Sequence, residues 1–232
     1  MLTTKRLILR RLTSEDLSLL KLSLCDPETM YAYEHGFSDE EAADWLQRQL
    51  GRYEKDGCGL WGVVLKDTGA FIGQCGITMQ PLEGGTVPEI GYVFDRRFWG
   101  RGYATEAAAG CMEYGFGVMG AQELFSIIRD NNLPSANVAK RNGMTPRGAI
   151  VKHYYGIDMP HTVWSVTREN TNASAHGKSH PHSRGRPCII SPVQIEKIKH
   201  NAARSGIFHD SAPFAAIPRF LAKIRFQSRR IA

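Results

Sequence analysis

The stretch FWGRGYATE, Phe98 to Glu106, decides how the chain is read. It follows an apolar run with strand character, Val87 to Asp95. It leads into a helical pattern with Ala107, Ala108, Cys111, Met112, Gly115 and Phe116 along one side. A strand, a glycine-spaced turn and a helix start, in that order, make an anion site. The turn lets backbone N–H groups converge, and the first N–H groups of a helix lack intrahelical partners and carry the positive end of its dipole. Gly100 and Gly102 would let a diphosphate approach the backbone closely, and Ala104 keeps the next position small. Two common nucleotide patterns do not fit. A dinucleotide fingerprint needs a third glycine where Thr105 stands and an early βαβ unit, and G-x-x-x-x-G-K-[ST] is absent.

Outward from this turn, the first 170 residues read as a strand, two or three helices, and a run of strands with two helices inserted. Arg6 to Leu12 alternates apolar and basic side chains, with Leu7 and Leu9 on one face. Ser14-Glu15-Asp16 opens a helix carrying Leu17, Leu20 and Leu24. Ser38 with Glu41 forms a capping box for a second, whose stripe is Ala42, Trp45, Leu46, Gln49, Leu50 and Tyr53. Gly59 to Lys66 and Ala70 to Gln80 are strands joined by the turn Lys66-Asp67-Thr68-Gly69, and Glu83-Gly84-Gly85-Thr86 makes the next turn. The result is a meander of antiparallel strands leading to the glycine turn.

Composition agrees with a globular α/β protein: 232 residues, 42% hydrophobic and 22% charged, enough to bury a normal core without metals or disulfides. No apolar run is long enough to cross a bilayer, and the charges at Lys5, Arg6, Arg10 and Arg11 interrupt the opening apolar stretch, so a cytoplasmic location without membrane contact is expected. The five cysteines, Cys25, Cys58, Cys75, Cys111 and Cys188, contain no CxxC pair and read as reduced structural thiols. Residues 1–170 carry 18 Lys and Arg against 21 Asp and Glu, whereas residues 171–232 carry 11 against 2. The net charge of +6 therefore belongs to the tail, and any nucleic-acid contact would have to be made there.

The ordered set of segments resembles the GNAT family of N-acetyltransferases, in the branch that holds the ribosomal-protein N-terminal acetyltransferases. WGRGYA, Trp99 to Ala104, is similar to its acetyl-CoA signature Q/R-x-x-G-x-G/A, with tryptophan in place of the usual Gln or Arg. TKRLILRRLTSEDL resembles the branch's opening strand and helix. DNNLPSANVAKRNGM (Asp130 to Met144) resembles its N-x-x-S strand-to-helix segment, and VKHYYGIDMPHTVWSVTRE its last hairpin. The resemblance covers residues 1 to about 169 and implies a mixed, mostly antiparallel sheet of about seven strands flanked by helices. It further implies acetyl-CoA as cosubstrate, an amine acceptor that is a protein N-terminus or a small molecule, and a homodimer formed through the last strands.

The N–H groups of Gly100 to Thr105, including those of Gly102, Tyr103 and Ala104, are the expected grip on the diphosphate. Arg101 is either a phosphate partner or a solvated loop charge. The resemblance implies that the strand end Tyr92-Val93-Phe94 splays from its neighbour and holds the pantetheine and the acetyl oxygen. It also implies that Ser135 places a hydroxyl near the sulfur and that Asn132 bonds the pantetheine amide; both residue types are equally at home as helix caps. The tyrosine that many relatives use as thiolate acid is replaced by Ala139. Glu89, in PEIGYVF, is a carboxylate in an apolar strand beside the cofactor, where desolvation would raise its pKa toward that of a useful base; on an exposed edge it would simply be solvated. His153, Tyr154 and Tyr155 fall between the last strands, where the resemblance puts the acceptor cleft; a histidine such as His153 could accept a proton, although His153 and His161 read most simply as surface strand residues. Trp45, Trp61 and Trp164 read as core or pocket walls. No metal site is expected, because the tail histidines lack acidic or thiol companions.

Two functions follow. One is acetyl transfer to an amine by direct attack in a ternary complex; the other is a non-catalytic acyl-CoA-binding module whose basic tail contacts nucleic acid or an acidic partner. The composition breaks after Asn170, dividing a catalytic domain, 1–170, from an extension, 171–232, with linker character and one short helix from Ser191. That extension resembles unselected sequence more than a folded domain. Deleting residues 171–232 is expected to leave acetyl transfer and CoA affinity intact, measured by thiol release and calorimetry; a truncated chain that loses either would overturn the boundary.

Overall fold

The computed structural model describes residues 1–82 and 84–170; Glu83 and the extension 171–232, with its expected linker and helix, lie outside the described residues. The strands are β1 (Leu2–Thr3), β2 (Leu7–Arg10), β3 (Leu60–Leu65), β4 (Phe71–Leu82), β5 (Gly85–Phe94), β6 (Glu123–Arg129), β7 (Thr145–Tyr154) and β8 (Ile157–Thr167). The helices are α1 (Leu17–Leu24), α2 (Asp39–Lys55), α3 (Tyr103–Gly117) and α4 (Leu133–Arg141). One sheet runs in the order β1-β2-β3-β4-β5-β6-β8-β7, and every neighbouring pair is antiparallel except β5 with β6.

The sheet has eight strands rather than about seven. Leu2–Thr3 folds back so that Leu2 pairs with Leu9 and Thr3 with Ile8, an edge strand too short to leave an alternating pattern. A second departure concerns the turn expected at Glu83-Gly84-Gly85-Thr86. Gly85 and Thr86 already belong to β5, Leu82 pairs with Gly85, and Gly84 takes a positive φ of 87° between them. The connection is thus a tight hairpin.

Elsewhere the local chemistry acts as read. Leu7 and Leu9 are fully buried on one face of β2, each contributing about 1.5–3 kcal/mol of apolar burial. The 3-10 turn Ser14–Asp16 starts the first helical segment, and Asp16 turns back to accept from the Thr13 N–H at 2.8 Å while taking two bonds from Arg10 at 2.7 and 2.8 Å. At α2, Ser38 Oγ accepts from the Glu41 N–H at 3.2 Å and the Glu41 carboxylate accepts from the Ser38 N–H at 2.8 Å, the reciprocal capping box. Its buried residues are Ala42, Leu46, Gln49 and Tyr53, with Trp45 and Leu50 partly covered. Helix α3 buries Ala107, Ala108, Cys111, Met112, Gly115 and Phe116 and packs on β4 and β5. Cys25, Cys58, Cys75 and Cys111 are free thiols. Trp61 and Trp164 are core residues. Among the described residues no helix is long and apolar enough to cross a membrane.

Close backbone packing at the centre of the sheet fixes how β4 lies against the start of β3. A Cβ on Gly76 of β4 would stand 2.2 Å from the Gly59 carbonyl oxygen and 2.8 Å from Leu60 Cα, main-chain atoms that cannot rotate away. Gly51 within α2 is the opposite case, with no atom within 4 Å of an added Cβ. Gly76→Ala is expected to destabilise by about 2–3 kcal/mol through overpacking. Gly51→Ala is expected to stabilise by roughly 0.5–1 kcal/mol through helix propensity. Thermal and urea unfolding of the two variants checks both signs.

Candidate active site

The sheet opens between its two parallel strands. β5 and β6 pair at the single position Glu89 with Phe125, after which both strands run on, β5 to Phe94 and β6 to Arg129. Two side chains close the base of the opening. Ser126 Oγ donates to the Ile90 carbonyl at 2.8 Å, and Glu89 Oε1 accepts from the Ile127 N–H at 3.0 Å. On its other side β5 stays paired with β4 as far as Phe94, and the Asp95 N–H donates to the Ile72 carbonyl at 3.0 Å. Strand alternation therefore turns the main-chain groups of Tyr92 and Phe94 toward the gap. The Phe94 carbonyl is taken by the indole N–H of Trp99 at 2.7 Å, so the residue that replaces Gln or Arg in the glycine turn braces the strand end with its side chain.

Because β5 leads into α3 and β6 into α4, both helix N-termini come to the mouth of the gap, the usual place for a ligand between parallel strands. At α3 the N-cap is Gly102 in the left-handed region, φ 79°, and Gly100 has φ 73°. An added Cβ at Gly100 would meet nothing within 4 Å. Within the protein, then, glycine is needed there for backbone conformation rather than for close packing. No side chain caps α3, and the leading N–H groups at Tyr103, Ala104 and Thr105 line a cavity of about 880 Å³ together with Trp99, Gly100 and Gly102. Uncapped donors in a cavity of that size suit an elongated anion such as the diphosphate of CoA.

A brace from the start of the chain, not anticipated from sequence, holds this turn. Arg6 donates through Nε to Glu106 Oε2 at 2.6 Å and through Nη1 to the Arg101 carbonyl at 3.0 Å, and its guanidinium lies 4.5 Å from the centre of the Tyr103 ring. Glu106 also accepts from Thr4 Oγ1 at 2.6 Å and from the Arg6 N–H at 2.7 Å. Burial works against the Glu106 charge, but these hydrogen bonds and the Arg6 charge outweigh it and hold its carboxyl below the usual range. Arg101 itself does not line the cavity; its guanidinium lies over the Phe98 ring, 5.8 Å from the centroid. Arg141, at the end of α4, is the cation that does line it.

A second cavity, of about 410 Å³, lies beside the first, and the two share Ala32, Tyr33, Tyr92, Val93, Asn132 and Ser135. Asn132 is the N-cap of α4: its Oδ1 accepts from the Ser135 N–H at 3.1 Å and from Tyr31 Oη at 2.9 Å. Its Nδ2 and the Ser135 hydroxyl make no further protein hydrogen bond among the described residues. Tyr92 Oη donates to the Ser135 carbonyl at 3.0 Å, tying β5 to α4 across the gap.

Glu89 lines the second cavity, and its neighbour Ile90, packed in the core, also borders it. Desolvation raises the Glu89 pKa; Lys152, the Ile127 hydrogen bond and Arg52 oppose the rise without cancelling it. His161 also lines this cavity and is buried rather than at the surface. Burial lowers its pKa to about 4, and Nδ1 faces the Met159 carbonyl at 2.8 Å, so the ring is neutral near pH 7. His153 is exposed, pairs with Asp158 at 2.8 Å and stays out of the cavity. His153 and Tyr154 belong to β7 and only Tyr155 reaches the turn; both tyrosines line the cavity, as does Trp45. No cluster of metal-ligating side chains occurs among the described residues.

A family model described as "Acetyltransferase (GNAT) domain" matches residues 6–145. The chain belongs to the GNAT acetyltransferase family. It is 41% identical over 148 residues to the Bacillus subtilis protein named "Uncharacterized protein YkkB", covering 62% of this chain and 84% of that one. The GNAT fold is shared with a Bacillus anthracis acetyltransferase at 22% identity and a TM-score of 0.62, covering 72% of this chain and 98% of the other. A RimL ribosomal alpha-N-protein acetyltransferase solved in complex with CoA shares it at 18% identity and a TM-score of 0.59, covering 71% and 95%. The splayed β5 and β6 and the uncapped turn before α3 are thus features of a GNAT domain, with open donors that suit an acyl-CoA diphosphate. With Arg6→Ala the turn loses its brace, and the Kd for CoA by calorimetry is expected to rise about tenfold, the effect of one charge-assisted contact. An unchanged Kd would show that the turn holds its shape alone.

Proposed function

We propose that the chain transfers an acetyl group from acetyl-CoA to a primary amine by direct attack in a ternary complex. The observation that carries this reading is the meeting of the two cavities at Tyr92, Val93, Asn132 and Ser135, with uncapped amides on one side and Glu89 on the other. A thioester carbonyl held at that boundary faces an amine arriving from the smaller cavity. Acetyl-CoA, when bound, supplies the activated acetyl group. The N–H groups of Gly100 and of Gly102 to Thr105 hold its diphosphate, and the free main-chain groups of Tyr92 with the Phe94 N–H orient the pantetheine and the acetyl oxygen, while Val93, whose main-chain groups face β4, lines the wall beside them. Asn132 Nδ2 donates to a pantetheine carbonyl.

Glu89 takes the proton of the attacking amine, directly or through one water, as the new C–N bond forms and the C–S bond breaks. Its raised pKa suits that task. Ser135 Oγ donates a hydrogen bond to the departing thiolate, a role left open by Ala139 at the position where many relatives carry a tyrosine. The acceptor is a protein N-terminus or a small-molecule amine. RimL, which shares the fold, is named for α-N-acetylation of a ribosomal protein.

The test is CoA-thiol release across a panel of amines, with acetyl-CoA binding followed separately. Glu89→Gln keeps an acceptor for the Ile127 N–H and is expected to lower kcat about 100-fold or more with acetyl-CoA affinity unchanged, while Ser135→Ala costs about tenfold. In the unmodified chain, kcat/KM should rise with pH through a value above the usual carboxylate range, because the base must be ionised and burial raises its pKa. His161, at about 4, is already neutral throughout that rise. Glu89→Gln should lose this limb. Tight acetyl-CoA binding with no thiol release from any amine would leave the chain a non-catalytic acyl-CoA binder.

A further inference from the structure

The smaller cavity has an uneven charge balance. Arg48 and Arg52 reach it from α2, Lys152 from β7 and Arg129 from β6, whereas Glu89 is the single carboxylate among its described lining residues. Arg129 is spent: it pairs with Glu34 and donates to the Ala32 carbonyl at 3.1 Å. The other three cations have no ion-pair partner among the described residues. Arg52 donates only to the neutral Gln49 amide, at 3.3 Å, and Arg48 lies over the Trp45 ring at 5.8 Å. That stacking also covers an aromatic face that could otherwise hold a cation.

From this cluster we infer that the acceptor is an amine whose own skeleton carries a carboxylate or a similar anionic group, which Arg48, Arg52 and Lys152 receive while the amine meets Glu89. The inference rests on the acetyl-transfer reading and narrows it. Polycationic amines, such as polyamines and aminoglycosides, would bring several positive charges against three cations that share one carboxylate, a repulsion that Glu89 does not offset. An anionic amine meets complementary charge at both ends. The source of such a group is either a free aminocarboxylate or the acidic start of a polypeptide, and the chemistry recognised is the same.

The experiment compares kcat/KM for the full-length chain on matched acceptors by thiol release. One arm uses peptides of identical N-terminal residue followed by Asp, Asn or Lys; a second uses free amino dicarboxylates and their amides; a third uses spermidine and an aminoglycoside. The acidic member is expected to exceed its neutral twin by about tenfold and the cationic one by more, consistent with one or two partly desolvated charge pairs. Arg48→Gln with Lys152→Gln should collapse the acidic-to-neutral ratio to near one while the Kd for acetyl-CoA stays within twofold. Turnover confined to peptides identifies a protein N-terminus as the source, and turnover of the free dicarboxylates a small metabolite; either supports the inference. Equal or faster turnover of the cationic amines overturns it and leaves acetyl transfer standing. Absence of release from every amine overturns both.

Discussion

The site exists because two parallel strands part. A sheet normally pairs every main-chain donor and acceptor it buries, and leaving a strand edge open in the interior is costly unless water or a ligand meets it. Here the loss is limited by side chains. The Ser126 hydroxyl takes the Ile90 carbonyl and the Glu89 carboxylate takes the Ile127 N–H, so the last groups below the gap stay bonded while those of Tyr92 above it are left for a guest. Glu89 therefore both bonds the last β6 amide below the gap and faces the smaller cavity.

The flanking elements can only move if several ties fail together. Tyr92 Oη joins β5 to the first turn of α4, the Trp99 indole holds the Phe94 carbonyl, and Arg6 joins the edge strands to the α3 N-terminus through Glu106. Each bond is of ordinary strength, worth about 0.5–1.5 kcal/mol net and more where a charge takes part. Their effect is geometric. They hold the uncapped N–H groups of Tyr103 to Thr105 and the open edge of β5 on the same cavity wall before any ligand arrives, so little ordering remains to be done on binding.

Much of this was legible in the chain. The glycine turn, the apolar side of α3, the capping box at Ser38 and the paired burial of Leu7 and Leu9 follow from local periodicity and turn chemistry, which depend on residues close in sequence. The alternation of Glu89 with Ile90 was legible too, but not the side each faces. That choice is settled by β6, more than thirty residues later. Arg6 and Glu106 lie 100 positions apart, and each looks like an ordinary surface charge until the fold brings them to 2.6 Å. The edge strand at Leu2–Thr3 escaped because two residues carry no period. His161 is buried where a surface position is expected for a related reason: alternation along β8 cannot tell a solvent-facing side from one roofed by another element.

The charges around Glu89 bear on its chemistry as well as on selectivity. Desolvation raises its pKa while Lys152 and Arg52 pull it down, so the carboxylate is a weaker base than its burial alone would make it. An anionic group on the acceptor, seated between those cations, would screen them from Glu89. The opposing pull would weaken and the basicity of the carboxylate would rise as the amine arrives. A cationic acceptor would do the reverse, adding positive charge beside the base and holding its proton affinity down at the moment the reaction needs it. In the proposed reaction, selection of the acceptor and activation of Glu89 would be two consequences of one electrostatic arrangement.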